Sequence, residues 1–350
     1  MRVRRLELRR VVRPMRTVFA TSLGRKSAAT SVLVKVVLDG GAAGLGEAAT
    51  SFVLPHETPQ AIEAILRQAR SELAGMPIEQ YPAALEAIRR RHAEFRMTLA
   101  GLEVALFRAR LAATGQTEHA WWGGATRQIE TDITIPFVPD LEALEPWIGR
   151  AVRTGFRAYK VKVSGQIERD MPFLAGLRER LSRGVERLSI RLDGNQGFTA
   201  SSCLALLDRL RRTGLAVELF EQPLARDDWA GLRALRGRCG VPLVLDETVL
   251  SAADCRRAIG EGLADGVNIK IAKSGIAESR EIYRLAKAAG WKLMAGCMTE
   301  TIVGLSAGIA MAAGAGGFDY VDLDSVHFLY GRRGRPGLRA DGPRYILEGP

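Results

Sequence analysis

Lysine is scarce in this chain. Of 50 basic side chains only eight are lysines: Lys26, Lys35, Lys160, Lys162, Lys270, Lys273, Lys287 and Lys292. Arginine carries the surface charge, so four lysines in two short strand-like stretches look chosen for something arginine cannot do, such as giving up a proton near neutral pH. The four histidines, His56, His92, His119 and His327, are isolated. No histidine base is apparent, and His327 reads as structural. The four cysteines, Cys203, Cys239, Cys255 and Cys297, form no CxxC pair and no zinc spacing. That argues against a disulfide framework and for a reducing, cytoplasmic setting. No apolar run approaches the ~18 residues of a membrane span. No apolar stretch follows the charged start Met-Arg-Val-Arg-Arg, so no signal peptide is expected. No GxGxxG opens a helix, which weakens the case for a doubly wound dinucleotide fold.

What is present has the size and mixture of a folded enzyme. The chain has 350 residues, 47% hydrophobic and 25% charged, with a net charge of +11. That length holds two domains or one large α/β barrel. The arginines are spread over many helices without a block or an aromatic stripe, so no nucleic-acid partner is expected. Residues 2–12 alternate as a strand, and Pro14 to Ala29 reads as a loop. Ser31–Leu38 and Gly44–Ala49 flank an Asp39-Gly-Gly turn. Helical periodicity follows over Ala61–Leu73, Pro82–Arg91 and Met97–Ala113, with Thr58-Pro59 as a cap and first position. Glu103, inside the last of these, reads as a capping or paired carboxylate. Residues 1–127 are therefore expected to form an α+β capping domain: a three-stranded meander, then helices.

Beyond residue 127 strand and helix alternate. Strands are expected at 130–136, 159–163, 188–193, 217–221, 243–246, 266–270, 292–296 and 320–324. Polar residues recur at corresponding points: Thr134, Lys160, Asp193, Glu221, Asp246, Lys270, Cys297 and Asp322, between 24 and 33 residues apart. Such a repeat fits a (β/α)8 TIM-type barrel over residues 128–326. The segment 327–350 is Arg- and Gly-rich and is expected to return to the capping domain.

Strand ends in such a barrel converge on one mouth. Asp193, Glu221 and Asp246 end three consecutive strands there and make a hard-oxygen set suited to Mg2+. Each is also a plausible helix N-cap when taken alone. Lys160 and Lys162 sit one strand before them and share a strand face. Their repulsion is expected to lower both pKa values. Lys270 sits one strand after. A substrate carboxylate at the metal then has a lysine on each side. Proton removal α to that carboxylate yields an enediolate, and return of a proton on the opposite face inverts the carbon. Asn195, Gln222, Glu247 and Lys273 are placed to support the ligands from behind.

Together the pieces Lys160-Val-Lys162, Asp193-Gly-Asn195, Glu221-Gln-Pro223, Asp246-Glu247-Thr, Asn268-Ile-Lys270-Ile-Ala-Lys273 and Gly296-Cys-Met298-Thr-Glu300 resemble the enolase superfamily, in its muconate-lactonizing-enzyme subgroup. Members of that superfamily pair a Lys or His base with Mg2+. Asp322-Leu-Asp324 is similar to the Asp-x-Asp motif of dipeptide epimerases, where it holds the substrate's α-ammonium. The resemblance implies Mg2+-dependent epimerisation of a dipeptide, with Lys162 and Lys270 exchanging the proton. Lys160, Thr134, Asp322, Asp324, Cys297, Met298 and Arg25 are then substrate contacts. L-Ala-L-Glu epimerases carry an arginine in the first loop; here Gly24 holds that position and Arg25 follows. The alternatives are an N-acylamino acid racemase, an o-succinylbenzoate synthase or a cycloisomerase of the same subgroup, or, from another class, a non-catalytic basic binding protein. A small molecule (a dipeptide or acylated amino acid) is the expected partner, and a homo-oligomer the expected assembly.

Overall fold

The computed structural model describes residues 1–138 and 140–348. Three antiparallel strands open the chain: β1 (Val3–Thr21), β2 (Gly24–Leu38) and β3 (Ala43–Ala49). The region Pro14 to Ala29, expected as a loop, is instead the far end of a long hairpin. Its polar residues alternate on an exposed ribbon, and the pairing absorbs Pro14, which has no N–H to offer, in a register shift between Pro14 and Phe19. The hairpin tip, Ser22 and Leu23, reaches over the barrel, where the Ser22 hydroxyl donates to the Asn195 carbonyl at 2.6 Å.

Three helices pack behind this sheet: Pro59–Leu73, Tyr81–Arg91 and Arg96–Thr114. Thr58 caps the first, accepting from the Ala61 N–H with Pro59 inside the first turn. The third is buried on nearly every face and lies directly on β3. Glycine makes that approach possible: a Cβ at Gly46 would stand 2.0 Å from the Gly101 carbonyl oxygen, and one at Gly44 2.1 Å from that of Ala105.

A short strand, β4 (Gln128–Glu130), leads into eight parallel strands: β5 (Ile133–Ile135), β6 (Ala158–Lys162), β7 (Ser189–Asp193), β8 (Phe220–Glu221), β9 (Leu243–Leu245), β10 (Gly266–Ile269), β11 (Lys292–Gly296) and β12 (Tyr320–Asp322). They pair in sequence order, with a helix following each of the first seven. This is the expected (β/α)8 barrel. The expected strand 130–136 is divided, because β4 leaves the barrel wall. It pairs with β14 (Arg344–Leu347), which in turn pairs with β13 (Leu338–Asp341). Before reaching β13 the C-terminal segment touches the first sheet, where Tyr330 N–H donates to the Pro14 carbonyl at 3.0 Å. Gly349 and Pro350 lie outside the described residues.

The ring closes between β12 and β5 without a strand ladder. Asp132 N–H donates to the Val321 carbonyl at 3.0 Å, Leu323 N–H to the Thr131 hydroxyl at 2.7 Å, and Thr134 N–H to Asp324 Oδ2 at 2.6 Å. Among the described residues, no helix is long and apolar enough to cross a membrane.

Candidate active site

Parallel register places the polar residues at one level. Lys162 stands beside Asp193 and Asp193 beside Glu221, while Thr134 stands beside Lys160. All are buried. Lys162 Nζ donates to Asp193 Oδ2 at 2.5 Å, and Lys270 Nζ to Asp246 Oδ2 at 2.5 Å. Lys160 Nζ donates to Asp322 and also lies 3.3 Å from Glu221 and 3.5 Å from Asp193. Lys273 is on the helix Ile271–Ala288, not at a strand end, and its Nζ holds Asp246 Oδ1 at 2.6 Å.

The expected repulsion between Lys160 and Lys162 does not govern Lys160. Burial favours its neutral form, but Asp322, Glu221 and Asp193 outweigh burial and raise it well above the usual lysine range. Lys270 is likewise raised against burial, by Asp246 and Glu221. Burial would raise Asp246, yet Lys270 and Lys273 bring it far below the carboxylate range. Glu221 goes the other way, to about 7, through burial and then Asp193.

The supporting residues hold backbone conformations that few side chains adopt. Asn195 has φ 39° and Gln222 φ 32°. Gln222 accepts from the N–H of Asp246 at 2.9 Å and of Thr248 at 3.1 Å, fixing the turn after β9. Asn195 reaches Glu247 at 3.4 Å. Asn268, on β10, donates to Glu221 at 2.7 Å. Several acceptors remain after these bonds. Glu221 Oε2, Asn195 Oδ1 and Glu247 Oε2 are buried and accept no hydrogen bond among the described residues. Such a set of unspent carboxylate and amide oxygens fits a hard divalent cation. The three acidic residues whose oxygens lie within 4.8 Å of one another are Asp132, Asp322 and Asp324, on the closing side of the ring. Each already has a donor: Arg191 for Asp132 at 2.8 Å, Lys160 for Asp322, and Thr134 N–H for Asp324.

A cavity opens above this layer. Thr134, Lys160, Lys162, Asn195, Asp246, Glu247, Lys270, Cys297, Met298, Asp322 and Asp324 all line it. Arg25 does not: it is exposed on the outer face of the hairpin. Lys26 lines the cavity instead, its ammonium 5.5 Å from the Phe52 ring centre, and burial pushes it down to about 8. Gly24 has no room for a side chain, since a Cβ there would meet the Phe52 ring at 3.0 Å. Phe19 and Phe328 complete an apolar wall. The scarcity of lysine was a signal that pointed to Lys26 as well; Phe19 and Phe328 carried none.

Asp322 and Asp324 each have one oxygen with little or no hydrogen bonding among the described residues. Asp322 Oδ1 accepts no hydrogen bond, and Asp324 Oδ1 has only the Cys297 thiol at 3.9 Å.

A buried parallel barrel with lysines and carboxylates at one mouth, under an antiparallel cap, defines a capped barrel enzyme. The enolase C-terminal domain-like family matches residues 144–346, and the chain belongs to that family, within the enolase superfamily and its muconate-lactonizing-enzyme subgroup. It is 34% identical over 317 residues to the aromatic dipeptide epimerase of Herpetosiphon aurantiacus, covering 90% of this chain and 88% of that one. The substrate-liganded L-Ala-D/L-Glu epimerase of Bacillus subtilis superposes with a TM-score of 0.92 at 28% identity, covering 100% and 97% of the two chains. The Enterococcus faecalis dipeptide epimerase, complexed with Mg and L-Leu-L-Tyr, superposes with a TM-score of 0.88 at 25% identity over 99% and 97%.

Proposed function

We propose that this protein is an isomerase that epimerises dipeptides with Mg2+ as cofactor. The observation that carries this reading is that Asp322 and Asp324 line one cavity with Lys162 and Lys270, Asp322 Oδ1 accepting no hydrogen bond among the described residues and Asp324 Oδ1 meeting the weak Cys297 thiol donor at 3.9 Å. Two carboxylates at one place match a free α-ammonium, which acylated amino acids and cycloisomerase substrates lack.

Asp193, Glu221 and Asp246 would hold the cation. When bound, it would supply positive charge for the enediolate oxygens and take up carboxylate charge that otherwise raises Lys160 and Lys270. Lys160 and the Thr134 side of the mouth orient the substrate carboxylate. One lysine, neutral, takes the α-proton onto Nζ. The other, as ammonium, delivers a proton to the opposite face of the same carbon, and solvent exchange resets both. Cys297 and Met298 border the side-chain space, with Phe19, Phe52 and Lys26 opposite. The free thiols support a reducing, cytoplasmic setting, and a homo-oligomer is the assembly that sedimentation would decide.

The test is deuterium uptake. In D2O with Mg2+ and a panel of dipeptides, α-deuterium appears in the substrate and in its epimer. No uptake across the panel rejects the reading. Asp322→Asn is expected to depress turnover of dipeptides and spare N-acylamino acids; equal loss on both moves the assignment to a racemase of acylated substrates.

A further inference from the structure

Away from the mouth, three separate parts of the chain bring arginines to one place. Arg16 comes from β1, Arg150 and Arg153 from the helix Leu141–Thr154, and Arg333 from the C-terminal segment. The elements that carry them touch: the helix Leu141–Thr154 packs against β1, Met15 of β1 bridges to Leu329, and Tyr330 is tied to Pro14. Arg16 lies over the Tyr330 ring, 4.4 Å from its centre, and 53% of Tyr330 is exposed.

Several clustered arginines elsewhere on this protein have an acidic neighbour, as Arg183 has Glu179 and Arg211 has Asp208. Here, among the described residues, none of the four has a carboxylate within 4.0 Å. Arg150 is lowered by burial and then by Arg16, Arg333 and Arg153. His327, beneath them, is pushed down to about 3 by burial and then by Arg333, Arg150 and Arg16. The Nε of Arg16 is buried and has no acceptor. Repulsion among guanidiniums and an unspent buried N–H both favour an oxyanion at this spot. The planar guanidinium fork matches phosphate oxygens two at a time.

We propose that Arg16, Arg150 and Arg333 form a phosphate-binding site, separate from the dipeptide cavity, that takes inorganic phosphate or a phosphate monoester. The open face of Tyr330 beside it offers a stacking surface for an aromatic ester. The Arg/Gly-rich stretch Gly331-Arg-Arg-Gly-Arg thereby gains a ligand through Arg333.

The experiment is calorimetric titration of the Mg2+-loaded enzyme at low ionic strength, with inorganic phosphate in one arm and phenyl phosphate in the other. Saturable binding is expected in at least the ester arm, with both arms binding if phosphate alone suffices. Arg16→Gln with Arg150→Gln should weaken it tenfold or more while epimerase activity is kept. If that double variant does not fold, Arg333→Gln serves, with a severalfold loss expected. A saturating dipeptide should leave the phosphate affinity unchanged, as should Arg211→Gln with Arg212→Gln on a distant helix. Absence of saturable binding in both arms, equal affinity in wild type and the Arg16/Arg150 variant, or displacement by dipeptide each overturns the site. Because the readout is phosphate affinity, its failure leaves the epimerase reading untouched, and the deuterium test leaves this one untouched.

Discussion

In the proposed two-base scheme Lys162 and Lys270 would divide one proton transfer between two faces of a carbon. They reach the cavity from β6 and from the end of β10, and each is held by a different carboxylate, Asp193 and Asp246. Lys162→Ala should therefore abolish exchange starting from one epimer and leave residual exchange from the other, with Lys270→Ala showing the reverse. The loss on the affected side is expected to be about 10²–10⁴-fold. Proton NMR of each pure epimer in D2O measures it, and equal losses from both epimers would contradict the two-base scheme. Lys26 sets a second residue-scale expectation. It is a partly buried cation with no carboxylate partner among the described residues, at the apolar end of the cavity. Lys26→Met should lower kcat/KM for dipeptides with an acidic side chain about tenfold or more and raise it for apolar ones. An unchanged ratio would remove Lys26 from specificity. The lysines and carboxylates of the barrel were legible because strand periodicity and motif order both point at them. Arg25 was misplaced by one position because strand alternation reverses the face with each residue, and nothing in the sequence locates the bulge between Pro14 and Phe19 that sets which face turns inward.

At the scale of elements, buried glutamates of the capping domain sit on the N-termini of helices. Glu57 accepts from the N–H groups of Met97 and Thr98, at 2.9 and 2.7 Å, within its own domain. Glu47, on β3, crosses to the barrel and accepts from Thr301 N–H and Gly304 N–H, both at 2.9 Å. Glu103 accepts from Ala277 N–H at 3.0 Å, just past the kink at Gly275 in the helix that begins after Lys270. These carboxylates meet the positive ends of the helices that follow β10 and β11. With Arg89 of its own domain 3.5 Å away, Glu103 serves a helix of the barrel and not its own. Such a partner is invisible in local spacing, since 174 residues separate the two. Glu47→Ala is expected to lower stability by about 1–3 kcal/mol, because the N–H groups it serves are buried. It should also raise KM, since the same turn carries Cys297, Met298 and Thr299 to the cavity. Urea midpoints and steady-state kinetics would check the two effects, and a wild-type midpoint would show the helix end to be satisfied otherwise.

For the whole molecule, the barrel follows from the strand and helix alternation. The division of residues 128–135 between two sheets was not legible in the sequence. β4 and β5 are joined by Thr131 and Asp132, and only the arrival of β14 shows that the first belongs outside. His327, under the C-terminal segment, makes the assembled structure sensitive to acid. Its folded pKa is about 3 against an ordinary 6.5, so the unfolded chain binds the proton first. Its contribution is therefore fully present above pH ~6.5 and is lost as pH falls toward 3, on the order of 5 kcal/mol across the whole window. His327→Phe should flatten the fall in urea midpoint between pH 7 and pH 5; a parallel fall would place the acid sensitivity elsewhere. Removing divalent cations with EDTA should abolish α-deuterium uptake and added Mg2+ restore it, while the fold remains intact by circular dichroism. Persistence of exchange after chelation would exclude the metal from the reaction.

The closing seam between β12 and β5 also restricts how this enzyme can change its substrate. Asp324 gives Oδ2 to Thr134 N–H, and so joins the ring, and leaves Oδ1 to the cavity. The Asp322 side chain holds no backbone N–H across the seam; it meets Lys160 on β6, which keeps Glu221 and Asp193 within 3.5 Å, and it lines the cavity. A lineage drifting toward substrates without an ammonium can relinquish Asp322 early. Asp324 can go only after another group has taken over the strut to Thr134. The order of those two substitutions is thereby set by the architecture of the barrel wall, and descendants that replaced Asp322 while retaining Asp324 mark the passable route.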